Sequence, residues 1–323
     1  MIFLKTVKLI GVAMAGTILS AGAALLTHPP LPDGIFMVPS IGHSKIHPQV
    51  PNISYGQISS SQKLDLYKPQ GHGPFPVVVY VHGGGFKFGD RKMASSALIG
   101  GLIGAGYAVA SVDYRLSGEA QFPAAVQDVF SAVAYLKDHS AALELDGLNV
   151  AIFGESAGAN LAALLGVAYN DSIFRQDVET DNINLKPIAV VAHFPPVDFL
   201  QIDTMLESQG CKTKEKHNAA DSFESAYLGK PLEEAQKKVT QTNPVTYVTA
   251  QSAPFLLQNG DNDCMVGSGQ SGLLFTALKR SGVPVQFNQF RGASHGGPQF
   301  ETAENIRKII SFIHSYRVNA KAV

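Results

Sequence analysis

Covalent acyl transfer needs a serine made nucleophilic, a base to take its proton and a carboxylate to orient that base. This chain offers candidates for all three. Ser156 stands in Gly154-Glu155-Ser156-Ala157-Gly158, between an apolar run at 150–153 and a small-residue stretch at 159–165. A buried strand that turns through Gly-x-Ser-x-Gly into a helix exposes the hydroxyl at the sheet edge, near a helix N-terminus and in a strained backbone conformation. Such a turn is too tight for side chains at its outer positions, so glycine fills both. Five residues alone would also fit an ordinary Gly/Ser turn, so the reading depends on partners elsewhere.

His295 is the first choice for the base. It lies in Gly292-Ala293-Ser294-His295-Gly296-Gly297, where a glycine-lined loop after the last strand lets an imidazole reach across the sheet edge. Its rivals are His82, expected to brace a glycine-rich loop, and His193, expected to be a hydrogen-bonded core residue within a strand. For the carboxylate, Asp263 follows Gly260 by three residues and is preferred. Asp261 is expected to bond the turn backbone, and Asp198, after the preceding strand, is the other rival. Gly83-Gly84-Gly85 can bring amides close to a substrate carbonyl, so the expected oxyanion donors are the N–H groups of Gly84, Gly85 and Ala157. Neither Gly-x-Gly-x-x-Gly nor a Walker lysine pattern occurs, which argues against a phosphate cradle.

The elements that must position these groups alternate between strand and helix. The continuous β-branched run 77–81 fits a central parallel strand buried on both faces, and 108–112 fits the next. Residues 122–137 carry apolar side chains at helical spacing along one face. Strands are expected at 188–194, 255–257 and 285–290, with helices at 270–281 and 299–316. This is an α/β pattern, with a mostly parallel central sheet and helices on both faces. Residues 63–67 alternate and then meet Pro69, which suits a half-exposed early strand. The long polar stretch of about 197–253 is an insertion, read as a lid or site wall, with a solvated excursion as the alternative.

At 323 residues with 45% apolar content, the chain has ample material for a core. A net charge of −1 with no basic block argues against a nucleic-acid partner. Cys211 and Cys264 form no CxxC pair, and His28, His43 and His47 fit no metal-binding spacing, so no metal is expected. Residues 1–26 read as an export signal: Lys5 and Lys8 precede an apolar stretch ending near Ala21-Gly22-Ala23, with an uncleaved anchor as the alternative. A proline-rich arm is expected at 27–60, extended or disordered, and the catalytic domain at 61–323. The catalytic part is then exported (periplasmic or secreted) or membrane-anchored, with membrane contact only through the N-terminal segment. In an exported protein a Cys211–Cys264 bridge would staple the insertion to the acid loop; otherwise the two are buried free thiols.

Taken together, HGGGF at 82–86, DYRL at 113–116, FPAAVQD at 122–128, GESAGANLAA at 154–163, GDND at 260–263 and ASHGG at 293–297 resemble the α/β-hydrolase serine carboxylesterases of the hormone-sensitive-lipase and feruloyl-esterase-like type. The resemblance runs from about residue 60 to the end. It implies a Ser156–Asp263–His295 triad with the oxyanion donors named above, no metal or organic cofactor, and a structural pair between Arg115 and Asp128. It further implies cleavage of small or medium carboxylic esters through an acyl-enzyme. An amidase or peptidase using the same triad and a non-catalytic binding protein on the same fold are the alternatives. The chain departs from the family in having no helical cap before its glycine loop and no proline after the acid, where Val266-Gly267 stands.

Overall fold

The computed structural model describes residues 45–178, 182–213 and 216–318. The expected export signal and most of the expected proline-rich arm lie outside them. The strands are β1 (Val50–Ser54), β2 (Lys63–Tyr67), β3 (Phe75–Val81), β4 (Ala108–Val112), β5 (Leu145–Glu155), β6 (Val190–His193), β7 (Phe255–Gly260) and β8 (Val285–Phe290). The helices are α1 (Ser96–Gly104), α2 (Ala124–Asp138), α3 (Ser140–Leu143), α4 (Ala157–Ala168), α5 (Ile202–Ser208), α6 (Phe223–Leu228), α7 (Gln236–Thr242), α8 (Ser268–Arg280) and α9 (Ala303–Ser315). The eight strands form one sheet in the order β1-β2-β4-β3-β5-β6-β7-β8. From β4 to β8 neighbouring strands run parallel, while β2 is antiparallel to both β1 and β4.

The apolar runs are explained by two cores, one on each face. Alternate residues of β3 divide between them. Val77, Val79 and Val81 belong to the core that also holds the buried side chains of α2, α4 and α8. Val78 and Tyr80 belong to the opposite core, with Leu98, Ile99 and Leu102 of α1 and Ile309, Phe312 and Ile313 of α9. The alternation is that of a strand, and burial on both faces is why it never shows as a polar–apolar alternation in the sequence.

Several expectations need correction. β2 is buried rather than half-exposed, because β1 covers its outer edge. β1 itself comes from the expected arm. Its Pro51 is tolerated because the strand is the sheet's edge, where an amide hydrogen is not needed. α2 is buried around most of its circumference, not on one face. The segment 171–178 covers its far side, where Gln127 donates to the Ile173 carbonyl at 2.9 Å and Ser131 to that of Asp177 at 3.1 Å. The 197–253 insertion stands, as expected, between β6 and β7. It folds into short helices that bury Phe199, Ile202, Leu206, Tyr227, Leu228 and Val239. No helix among the described residues is long and apolar enough to cross a membrane.

Candidate active site

All three chemical groups project from the C-terminal end of the parallel strands, where open α/β sheets form their crevices. Ser156 sits between β5 and α4 with φ 52° and ψ −121°, a strained conformation for a residue with a side chain. The turn is held by contacts between backbones. A Cβ on Gly158 would lie 2.3 Å from the carbonyl oxygens of Val81 and His82, and one on Gly154 would lie 2.2 Å from that of Gly158. The Ser156 amide is tied to the His193 carbonyl at the end of β6, at 3.0 Å.

The preferred base and acid come together on this serine. His295 Nε2 lies 2.9 Å from Ser156 Oγ, and Nδ1 lies 2.9 Å from Asp263 Oδ2. Both His295 and Asp263 are buried, and Phe194 covers the imidazole with ring centroids 4.3 Å apart. Asp263 accepts further hydrogen bonds from the amides of Met265 (2.9 Å) and Val266 (3.1 Å) and from Asn259 Nδ2 (3.1 Å). Burial pushes its carboxyl up, but His295 and these two amides outweigh that and hold it below the ordinary carboxylate range. A carboxylate so held stays ionised and fixes the imidazole with Nδ1 protonated. Nε2 is thereby left to accept the serine proton.

The rivals have other tasks. His82 Nδ1 bonds the Gly83 carbonyl at 2.7 Å and its ring stacks on Tyr114, so it braces the glycine loop; burial lowers its pKa. Asp261 accepts from the Gly292 amide at 2.6 Å and so fastens the acid loop to the histidine loop. Asp198 accepts from the Leu200 amide and from Gln201, starting a short helical turn in the insertion. His193 departs from expectation. It is buried, but neither ring nitrogen has a hydrogen-bond partner among the described residues. Its neighbours are aromatic, and the Glu155 carboxylate stands 3.7 Å from Nδ1.

The glycine loop lies against Ser156: a Cβ on Gly83 would be 3.2 Å from Ser156 Cβ. Among the described residues no acceptor takes the N–H of Gly84, Gly85 or Ala157. Phe86, at the end of this loop, stacks on Tyr227 with centroids 3.9 Å apart and leans on Phe199 at 5.9 Å. The insertion therefore forms a wall on the glycine loop. Cys211 and Cys264 are disulfide-bonded, joining the insertion to the residue beside Asp263. Arg115 and Asp128 pair within 3.0 Å, and Asp177 and Gln62 complete the cluster. Sequence reasoning missed Asn259, Gln209 and His217 around the acid. Only Asn259 lay within reach of it, as the last polar residue of a strand ending at Gly260.

Strand order, crossover helices and a site at the strand ends make this an α/β-hydrolase. A family model described as BD-FAE matches residues 64–278, and the chain belongs to that family. It is 26% identical over 247 residues to the esterase LipC of Mycobacterium tuberculosis, covering 76% of this chain and 59% of the relative. To the esterase LipQ of the same organism it is 26% identical over 280 residues, covering 85% and 63%. The chain thus spans less than two thirds of the length of these curated relatives. Among solved structures, a truncated carbohydrate esterase from gut microbiota superposes with a TM-score of 0.74 at 26% identity, covering 82% of this chain and 95% of that one.

Proposed function

We propose that this protein hydrolyses carboxylic esters through an acyl-enzyme. The observation that carries the proposal is the unbroken hydrogen-bonded series from Ser156 Oγ through His295 to Asp263. Ser156 attacks the ester carbonyl as His295 takes its proton. The oxygen that becomes negative is received by the amides of Gly84, Gly85 and Ala157, which the fold leaves uncommitted. His295 then returns the proton to the leaving alcohol, and water repeats the cycle to free the serine. Family membership and the esterase relatives support an ester over an amide. Substrates with small acyl groups, including acylated carbohydrates, are the class to test first, since one structural neighbour is described as a carbohydrate esterase.

We further propose that the protein is exported. The cationic, apolar and small-residue order of residues 1–26 supports this, as does a disulfide that an oxidising compartment would preserve.

Hydrolysis of p-nitrophenyl acetate by the full chain, alongside Ser156→Ala, tests the reading. The variant is expected to lose activity by about 10⁴-fold or more while keeping its melting temperature. A fluorophosphonate probe should label Ser156. If the parent neither turns over the ester nor takes the label, the proposal fails.

A further inference from the structure

The insertion holds the acid loop by more than its disulfide. His217 lies between α5 and α6 and reaches across to the chain beyond Asp263. Its Nε2 bonds the Met265 carbonyl at 2.8 Å, and its Nδ1 bonds Glu224 Oε1 at 2.8 Å. A carbonyl and a carboxylate oxygen are acceptors only, so both ring nitrogens must donate. With Glu224 as the carboxylate, this geometry requires the imidazolium.

Each partner leads to a different part of the site. Met265, whose carbonyl takes one donor, presents its amide to Asp263 Oδ1 at 2.9 Å. Glu224, buried on α6, follows Phe223, which packs so closely on the glycine loop that a Cβ on Gly85 would be 2.7 Å from its ring. The backbone around His217 is fixed as well: its amide and that of Asn218 donate to the two oxygens of Asp203 on α5, at 2.9 and 3.1 Å.

We propose that charged His217 is a positioning residue that latches the acid loop and the wall of the glycine loop to one another through the insertion. This rests on the reading of Ser156, His295 and Asp263 as the catalytic set, since the latch acts through Asp263.

The charged groups around the ring agree with the geometry. Glu224 of α6 and Asp203 of α5 face it; Lys216 beside it is paired with Glu207 at 2.6 Å, and Asp263 stands behind Met265. Burial opposes the charge, but Glu224, then Asp203 and the Met265 carbonyl, outweigh it and push the His217 pKa up to about 9. The folded value thus lies above the ordinary 6.5. The stabilisation is complete below 6.5 and is lost as pH rises through about 9. Above that, a neutral ring can donate to only one of its two acceptors, and the latch opens on one side.

The test uses the full chain and its variants Glu224→Gln and His217→Asn. kcat and KM for p-nitrophenyl acetate, and the melting temperature, are followed from pH 6 to 9.5. At pH 7, His217→Asn should lower kcat by about tenfold to a hundredfold, the range for small displacements near the chemistry, with KM within about twofold. Glu224→Gln keeps a hydrogen-bond acceptor but removes the charge, so the parent's alkaline fall in kcat should move down by about one pH unit or more. A residue that merely filled space would not move that limb.

If both variants keep the parent's alkaline limb in place, the latch is overturned. Should the parent be inactive and unlabelled at Ser156, the functional reading fails separately. The latch is then judged by melting temperature alone, supported if the parent loses more between pH 7 and 9.5 than His217→Asn and overturned if the two slopes are equal.

Discussion

The proposed nucleophile, Ser156, and the proposed acid, Asp263, are held by opposite means. Ser156 is placed by backbone packed on backbone: Gly158 against the carbonyls of Val81 and His82, Gly154 against Gly158, and the serine amide on the β6 carbonyl of His193. Everything that fixes it belongs to the sheet or to the turn itself. Asp263 sits beyond the end of β7, buried on the loop that follows it. Asn259 of β7 and two amides of its own loop bond the carboxylate, the Gly292 amide and the Ala293 carbonyl tie that loop to the loop of His295, and the insertion adds a third set of ties. Gln209 donates to the carbonyls of Asp261 (3.3 Å) and Asp263 (3.0 Å), Cys211 is bonded to Cys264, and His217 bonds Met265. The nucleophile therefore inherits the rigidity of the core. The acid borrows rigidity from a segment about fifty residues earlier in the chain.

The sharpest way to break the core-held half is Gly158→Ala. Its Cβ would sit 2.3 Å from two backbone oxygens belonging to β3 and its following residue, so neither neighbour can yield without disturbing the sheet. A destabilisation on the order of 4 kcal/mol or more is expected, with loss of activity, read by urea unfolding. A variant of near-parental stability would show that the turn can take a Cβ and that close backbone contact does not hold Ser156.

Asp263→Asn breaks the chemistry while sparing the fold. Asparagine can accept the amides of Met265 and Val266, but it does not hold His295 with Nδ1 protonated. A fall in kcat of about 10⁴-fold is expected, with a modest change in melting temperature. Asp198→Asn is the control. Its carboxylate only caps a turn, so activity should stay within about twofold, as for surface sites away from special features. If Asp198→Asn cripples turnover and Asp263→Asn does not, the two carboxylates have been assigned the wrong way round.

The same division governs what could be read in the sequence. The elbow was legible because its causes are contiguous: a strand, two glycines that permit close approach, and a helix all lie within about twenty residues. The strands β3, β4, β6 and β7 declared themselves as apolar runs. β1 did not, because Pro51 contradicts a strand everywhere except at an edge, and edge position is a property of the sheet rather than of the segment. α1 was obscured by Gly100, Gly101 and Gly104, poor helix formers. Gly101 is needed because a Cβ there would meet Ile306 of α9 at 2.4 Å. His193 was misread because position in a strand says where a side chain is buried but not what it meets. The ties from Gln209 and His217 had no local signal at all. They exist only because the insertion folds back on the acid loop.

Removing the disulfide asks how much of the acid's support is borrowed. Cys211 and Cys264 are separated by 53 residues, for which loop closure gives at most about 4 kcal/mol of stabilisation, less any native-state strain. Cys211→Ser combined with Cys264→Ser should lower stability by up to that amount, measured by denaturant unfolding without reductant. The effect on turnover is the more informative quantity. If the bridge only restricts the unfolded chain, kcat at 25 °C is unchanged, because the folded geometry is the same. If the acid depends on the insertion as a whole, the bridge and the His217 contact share one task, and their losses should not add. Combining the serine pair with Glu224→Gln then gives a loss in kcat that differs from the product of the separate losses, with a coupling of about 0.5 kcal/mol or more. Strict multiplicativity would mean that the two ties act independently, and no loss in kcat from either would mean that the acid, like Ser156, is held without the insertion.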